Sequence, residues 1–169
     1  MIKYTKFNSP IGTIRLYFIE KVVYFISLPN YNKEYIRGWF KKNFNSIPEF
    51  ALQSDHPAIQ QILEFLTGKR KKFNLLISHL NTEFGKKVLN EVIRVPYGDT
   101  TSYKNIAKKV GNVKASRAVG TANAGNPLPL VIPCHRIISH NGNLGGYGGG
   151  VNIKEYLLSL EHSVINGRY

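Results

Sequence analysis

Apolar and polar positions alternate near the start of the chain and predict strands there. Within residues 14–18 every second side chain is aliphatic or phenylalanine, which is the period of a strand with one buried face. A turn-forming sequence at 9–12 precedes this run, so we expect residues 2–8 and 13–19 to pair as a hairpin. The β-branched and aromatic residues 22–27 predict a third strand.

Helical spacing predicts two helices in the rest of the N-terminal half. Residues 32–44 carry an aromatic face, and a second helix places apolar side chains at positions i, i+3, i+4 and i+7. Those side chains are Ile59, Ile62, Leu63 and Leu66. Gly68 is placed to end the second helix. The expected boundary falls within residues 73–83, which gives domains 1–80 and 81–169.

The C-terminal half is predicted to be mainly helical. Its first helix has the apolar face Phe84, Val88, Leu89, Val92 and Ile93. A second helix starts at Tyr103 after a capping Ser102 or Thr101 and ends at Gly111. A third helix over 114–123 follows closely, with the expected inner face Ala115, Ala118, Val119 and Ala122. The pair fits a helix-turn-helix, although any small helical pair has the same pattern.

Composition and charge narrow the function classes. Hydrophobic residues make up 43% of the chain and charged residues 20%, as in a globular protein rather than a disordered or fibrous one. The 23 Lys and Arg outnumber the 10 Asp and Glu, and the formal net charge is +13. Such an excess favours a polyanionic partner, either nucleic acid or an anionic membrane surface. Residues 1–82 carry +7 and residues 83–169 carry +6, so charge does not tell which half meets that partner.

The single cysteine, Cys134, excludes an internal disulfide and a multi-thiolate metal site. We expect no metal and no cofactor, and a reducing compartment. No apolar run reaches the roughly 18 to 20 residues that span a bilayer. Residues 1–6 lack the apolar segment of a signal peptide. The expectation is a cytoplasmic protein without membrane association.

The residues that can carry chemistry lie around Cys134, which follows Pro133 and precedes His135. Three prolines within 127–133 predict a stiff, extended run that holds the sulfur in place. A free thiol has a pKa of roughly 8.5, so a nucleophilic cysteine needs a base, and His135 is adjacent. Neighbouring side chains of an extended run point to opposite faces, so a water or a turn has to link them. A lone cysteine among Leu, Val and Ile also fits an ordinary core residue.

Two further segments can complete such a site. A histidine base needs an acceptor on its second ring nitrogen, and Glu161 is the candidate, with an ordinary exposed acid as the alternative. Glu161 lies near the end of the last predicted helix, for which residues 152–155 form a capping start. The loop 141–150 contains six glycines and is either a flexible linker or an adaptable pocket wall that presents Tyr147.

Four features follow one another along the chain. They are the helix pair, Asn126-Pro127-Leu128-Pro129, Pro133-Cys134-His135-Arg136 and the glycine-rich loop. This arrangement resembles the O6-alkylguanine-DNA alkyltransferases, also called methylated-DNA–protein-cysteine methyltransferases. The close match covers about residues 84–162. It implies an α/β (α+β) fold, with a small N-terminal sheet-and-helix domain and a winged-helix-like C-terminal domain. It also implies irreversible, one-turnover transfer of an alkyl group from O6 of guanine, and leaves O4 of thymine open.

The resemblance further implies a role for each matching residue. Cys134 is the alkyl acceptor, His135 deprotonates it through a water, and Glu161 orients His135. Tyr103 donates to a guanine ring nitrogen, and Asn126 holds the turn before the active-site segment. The expected DNA-binding residues are Lys104, Lys114, Ala115, Ser116 and Arg117, of which Arg117 fills the gap left by the flipped base. The expected base pocket consists of Ile137, Tyr147 and Gly148, where the carbonyls of Cys134 and Ile137 select the exocyclic amine.

The implied partner is double-stranded DNA, bound by a monomer through the minor groove with the damaged base flipped out. Three other readings remain. Alkyltransferase-like proteins sense the lesion without repairing it, but they lack the cysteine that this chain has. A sequence-specific regulator would want more Asn, Gln and Arg on its recognition helix. A cysteine hydrolase would use the same three side chains with many turnovers and would need no basic surface.

Overall fold

The computed structural model describes residues 1–52 and 55–167. The chain divides into two compact units, Met1–Leu80 and Asn81–Tyr169. The first unit combines a sheet with two helices, and the second is mainly helical. This mixed α+β architecture confirms the predicted fold class. Within the described residues, helices are too short or too polar to cross a membrane.

A five-stranded sheet organises the first unit. Its strands are β1 (Lys3–Ser9), β2 (Gly12–Ile19), β3 (Val22–Ser27), β4 (Glu49–Phe50) and β5 (Leu76–Ile77). β1, β2 and β3 form an antiparallel meander, and β4 and β5 add in parallel at the two edges. The predicted hairpin is therefore confirmed. The two edge strands were not predicted, because a two-residue strand has no measurable period.

Two helices complete the first unit: α1 (Lys33–Phe44) and α2 (Pro57–Leu66). The side chain of Asn32 accepts hydrogen bonds at the start of α1, and Pro57 begins α2, where its missing N–H costs nothing. Ile36 and Phe40 of α1 are buried in one aromatic cluster with sheet residues. Burying such side chains contributes about 1.5–3 kcal/mol each.

The described residues of the second unit form four α-helices: α3 (Glu83–Val92), α4 (Tyr103–Lys109), α5 (Ser116–Ala124) and α6 (Val151–Ile165). Strands β6 (Thr101–Ser102) and β7 (Ile137–Ile138) pair in parallel. Helices α3, α4 and α5 pack on one another. The hydroxyl of Ser102 accepts from the Asn105 N–H and caps α4, as predicted.

Three local predictions are wrong. Of the predicted inner face of α5, Val119 is buried and Ala118 is exposed, while Asn123 is the second buried position. Alanine carries too little apolar area to fix which side of a helix faces the core. Helix α6 begins directly after Gly150, whose φ of 94° turns the chain, so no side chain of 152–155 caps it. The run predicted to be extended closes into a 3₁₀ turn at Cys134–Arg136.

Candidate active site

The 3₁₀ turn sets the relation between the cysteine and the histidine. Pro133 precedes the turn, and its carbonyl accepts from the Arg136 N–H at 3.0 Å. In such a turn successive side chains are about 120° apart rather than opposite. Cys134 and His135 are both buried. The turn therefore lets the side chains of Cys134 and His135 lie on neighbouring sides of the backbone, whereas an extended run would have pointed them to opposite faces.

A carboxylate completes the histidine side of the site. Glu161 of α6 is 1% exposed, and its Oε1 lies 2.7 Å from Nε2 of His135. The guanidinium of Arg136 bridges both carboxylate oxygens, with Nε at 3.0 Å from Oε2 and Nη2 at 3.0 Å from Oε1. Nη1 of Arg136 donates to the carbonyl of Val95 at 2.7 Å. The buried negative charge is thus paired and saturated with donors.

Backbone in the turn that follows α3 also holds the carboxylate. The N–H of Gly98 donates to Oε2 of Glu161 at 2.8 Å. Gly98 has a φ of +86°, and a Cβ at this position would stand 2.6 Å from Cγ1 of Ile165. Both the conformation and the close approach require glycine. The turn that contains Gly98 thereby fixes the position of the carboxylate that contacts His135.

The protonation states follow from this environment. Burial lowers the pKa of His135, and the neighbouring Glu161 only partly offsets that effect. Burial raises the pKa of Glu161, but the hydrogen bonds from His135 and Arg136 outweigh it and hold the pKa below its usual range. A neutral imidazole that donates Nε2–H to an ionised carboxylate keeps a lone pair on Nδ1. An imidazole held in this way can act as a general base.

The thiol of Cys134 is protonated at rest. Burial raises its pKa, while hydrogen bonds from Asn126 and Tyr147 and the charge of Lys154 lower it in part. A protonated thiol needs a base before it can act as a nucleophile. The same surroundings will stabilise the thiolate once the proton has left.

Two asparagines shape the backbone that carries the cysteine. The Asn126 side chain accepts from the Leu128 N–H at 3.0 Å and donates to the Ile132 carbonyl at 2.8 Å. Between them Leu130 has a φ of 74°, a conformation that costs a branched residue about 1–2 kcal/mol. Asn123 donates to the carbonyl of Cys134 at 3.2 Å. The strained turn before the thiol is therefore held by side chains.

Tyr103 connects the thiol region to a surface hollow. Burial and the nearby Cys134 raise the pKa of Tyr103, and a hydrogen bond with Asn123 opposes this. Gly145 of the glycine-rich loop has a φ of +71°, and a Cβ there would stand 3.2 Å from the Tyr103 hydroxyl. The hollow has a volume of ≈ 440 Å³. It is lined by Tyr103, Lys104, Ser116, Arg117, Gly120, Ser139 and His140.

The remaining predicted residues lie on the same unit. Lys104, Lys114 and Arg117 are exposed; Ala115 and Ser116 are half-buried at the start of α5. Gly148 is exposed, and the ring of Tyr147 lies 6.5 Å from that of His135. Of the two carbonyls expected to select an amine, that of Cys134 already accepts two hydrogen bonds, from the Asn123 side chain and from the Ile137 N–H. The carbonyl of Ile137 accepts one from Lys154. Because a carbonyl oxygen has two lone pairs, an amine at Cys134 would have to displace one of its present donors.

Sequence reasoning missed two charged site residues, Arg136 and Lys154, as well as Gly98 and Asn123. Arg136 interrupts an otherwise apolar run, and Lys154 occupies the apolar face of α6 between Ile153 and Leu157. A charged residue in an apolar stripe was the available signal. Lys154 is 0% exposed, and its Nζ donates to the carbonyls of Ile137 and Leu144. Lys154 therefore connects the glycine-rich loop to β7 through these two hydrogen bonds.

Replacing Lys154 by methionine is expected to raise the pKa of the Cys134 thiol while changing the free energy of unfolding by no more than about 3 kcal/mol. The thiolate loses a nearby positive charge. The two orphaned carbonyls cost about 1–3 kcal/mol each. Burial lowers the pKa of Lys154 from 10.5 to about 8, so removing the lysine recovers about 3 kcal/mol.

Mass-detected alkylation of Cys134 by iodoacetamide at a series of pH values measures the thiol pKa, with the exposed Lys87→Met as the matched control. The contribution of Lys154 to the free energy of unfolding, read as the difference between the native protein and Lys154→Met, should also rise from pH 8 to 10.5, because the unfolded lysine keeps a proton that the folded one has lost. Lys154→Met should lack that contribution. An unchanged thiol pKa in Lys154→Met would contradict the electrostatic role.

Comparison with known proteins gives consistent matches. The family described as "6-O-methylguanine DNA methyltransferase, DNA binding domain" matches residues 83–163. The chain is 39% identical to the methylated-DNA–protein-cysteine methyltransferase of Methanosarcina acetivorans, over 95% of this chain and 98% of that protein. The inducible methylated-DNA–protein-cysteine methyltransferase of Bacillus subtilis is 38% identical, over 83% and 79%. The crystal structure of Mycobacterium tuberculosis OGT in complex with DNA matches with a TM-score of 0.85 and 31% identity, over 96% and 94%.

Proposed function

Because the chain belongs to the methylated-DNA–protein-cysteine methyltransferase family, we propose that it repairs DNA by moving an alkyl group from O6 of guanine onto Cys134. The observation that carries this assignment is the 2.7 Å contact between His135 and Glu161 beside the buried thiol. That contact supplies a base next to the one cysteine of the chain. Membership in the family makes the protein a DNA-repair methyltransferase.

The proposed reaction is a single displacement. Nδ1 of His135 takes the thiol proton through a water, and the sulfur attacks the alkyl carbon as the bond from that carbon to O6 breaks. Negative charge then develops on guanine, and the Tyr103 hydroxyl donates a proton to the ring nitrogen. Tyr103 regains its proton from the solvent or from His135. The alkyl group remains on Cys134 as a thioether, so each protein molecule reacts once.

We propose that the damaged base reaches Cys134 by leaving the DNA stack. O6 is inaccessible inside a duplex, and flipping costs a few kcal/mol, less for a damaged pair. The hollow beside Tyr103 is open to solvent and is bordered by the exposed Arg117. We assign Arg117 to the gap that the base leaves. The exposed small side chain of Ala118 on α5 lets the helix approach the minor groove closely.

We assign contacts with phosphates to two exposed lysines. Lys104 borders the same hollow, and Lys114 lies just before α5. Such contacts give binding without sequence preference and a strong dependence on salt. The glycine-rich loop, with Tyr147 and Gly148, is the proposed flexible wall around the flipped base. The alternative function, lesion sensing without repair, uses the same surface but needs no base beside the thiol.

Intact-mass analysis of the native protein with excess duplex DNA containing O6-methylguanine tests the proposal. We expect one adduct per protein, heavier by one methyl group in place of a hydrogen, on the peptide that contains Cys134. Guanine should be restored one-for-one, and a lesion-free duplex should give no adduct. Tight lesion binding without an adduct would reject transfer and favour a sensor. Several guanines restored per protein would reject the one-turnover reaction.

A further inference from the structure

The N-terminal unit contains a hollow that the chemistry at Cys134 does not use. Its volume is ≈ 440 Å³, within the range of pockets that hold small molecules. Residues of β1, β2 and α1 line it, together with the segment that follows α1. The hollow is therefore formed within one compact unit.

One face of α1 builds the floor and part of the rim. Lys33, Ile36, Arg37 and Phe40 follow the spacing i, i+3, i+4 and i+7, so all four lie on one side of the helix. Ile36 and Phe40 are buried, whereas Lys33 and Arg37 are exposed above them. An apolar floor with cations at its edge can hold a molecule that has an apolar ring and a negative charge.

The cations around the hollow are not neutralised. Arg15 of β2 joins Lys33 and Arg37, and the residues that line the hollow include no acid. In the described part of the chain, the carboxylates lie more than 4.0 Å from the nitrogens of these three side chains. Arg15 also stands directly opposite Lys6 in the β1–β2 register. Like charges in that position destabilise a sheet, and a bound anion would remove the penalty.

Two tyrosines form the aromatic wall. Tyr4 is half-buried and stacks on Tyr17, with ring centroids 5.3 Å apart. Burial raises the pKa of Tyr17 to about 12, although Arg15 opposes the shift. Tyr17 consequently remains a neutral hydrogen-bond donor at physiological pH. A flat base can lie on the face of such a wall, since base–aromatic stacking tolerates any base.

We propose that this hollow binds a nucleotide, with its phosphate at Arg15, Lys33 and Arg37 and its base against Tyr4. Three cations suit a phosphate better than a single carboxylate, because a phosphate offers three acceptor oxygens and more charge. The apolar floor and aromatic wall account for the base. The nucleotide is either free or one unit of a DNA strand, and both sources present the same chemistry.

Titration calorimetry on the full chain tests the site with dTMP, thymidine, inorganic phosphate and the single strand dT8 as probes. The pocket variant carries Arg15→Gln, Lys33→Gln and Arg37→Gln. The matched control carries Lys21→Gln, Lys42→Gln and Lys69→Gln, which removes the same charge from exposed positions outside the hollow. A single pocket substitution should weaken binding about tenfold, the effect of losing one charge-assisted contact. All six positions are solvent-accessible, so thermal melting should show both variants folded.

Each outcome decides the proposal. Binding of dTMP that the pocket variant loses and the control keeps supports a free nucleotide as the ligand. Pocket-dependent binding of dT8 that is tighter than that of dTMP supports a DNA strand. Phosphate binding equal to dTMP binding would overturn base recognition. Equal losses in both variants, or no pocket-dependent binding of either nucleotide probe, would overturn the site. Methyl transfer to Cys134 in the pocket variant is scored separately, so failure here leaves the repair function intact.

Discussion

Replacing Cys134 by serine is expected to abolish alkyl transfer while leaving the fold and lesion binding in place. A serine hydroxyl is a far weaker acid than a thiol, so the His135 base cannot generate the nucleophile at neutral pH. The side chain is nearly isosteric, and Asn126 and Tyr147 can still hydrogen bond to it. We therefore expect the free energy of unfolding to change by about 1 kcal/mol.

Intact mass and lesion-dependent DNA binding are the two measurements. The variant should show no adduct over a period in which the native protein reacts completely, and its affinity for an O6-methylguanine duplex should lie near that of the native protein. Cys134→Ala is the companion variant, because it removes the hydrogen bonds as well as the nucleophile. A methyl adduct on the serine variant would place the acceptor elsewhere. Loss of lesion binding together with transfer would assign Cys134 to recognition.

Much of the fold follows from periodicity in the sequence. The alternation in residues 14–18 and the apolar spacing within α2 reflect burial against one core, and both elements form as predicted. The α5 face was predicted wrongly because alanine fits either a buried or an exposed position. In this short helix Asn123 is buried beside Val119, whereas a polar residue is expected on the surface.

Less of the site than of the fold could be predicted from the sequence, for a physical reason. The order Pro133-Cys134-His135 predicts a nucleophile and a base, because both are adjacent in the sequence. The contact between His135 and Glu161 spans 26 positions, and the Gly98 N–H that holds the same carboxylate lies 63 positions from it. Long-range hydrogen bonds of this kind depend on the packed structure. Glu161 could be proposed as the acceptor, with an exposed acid as the alternative, and the resemblance gave it the same role, whereas nothing pointed to Gly98.

Replacing Glu161 by glutamine is expected to slow alkyl transfer by about 10²–10⁴ and to lower the free energy of unfolding by about 3–5 kcal/mol at neutral pH. The variant keeps the shape of the side chain but leaves the guanidinium of Arg136 buried without its counter-charge. It also presents an amide to donors that need an acceptor, among them the Gly98 N–H. His135 then loses the partner that fixes its tautomer.

The pH dependence distinguishes orientation of the base from a general loss of structure. Burial lowers the pKa of His135, so the native single-turnover rate should stay level down to a pH below the usual histidine range and then fall as the imidazole is protonated. Glu161 raises the pKa of His135 relative to burial alone. In Glu161→Gln the maximal rate should therefore be lower, and the fall in rate at acidic pH should begin at a lower pH than in the native protein. A mere loss of folded protein would lower the rate without changing the pH at which it falls.

The contribution of Glu161 to the free energy of unfolding also depends on pH. The pKa of Glu161 is depressed in the folded state, so its contribution is present above the unfolded value near 4.5 and disappears as pH falls through the folded one. The difference between native protein and Glu161→Gln should accordingly shrink below pH 4.5 in urea unfolding. Glu155→Gln, an exposed acid on the same helix, is the control and should match the native protein. If Glu161→Gln fails to fold, Glu161→Asp retains the charge, withdraws it from His135 and should recover stability more than rate. A native rate in either Glu161 variant would show that His135 needs no carboxylate to act as the base.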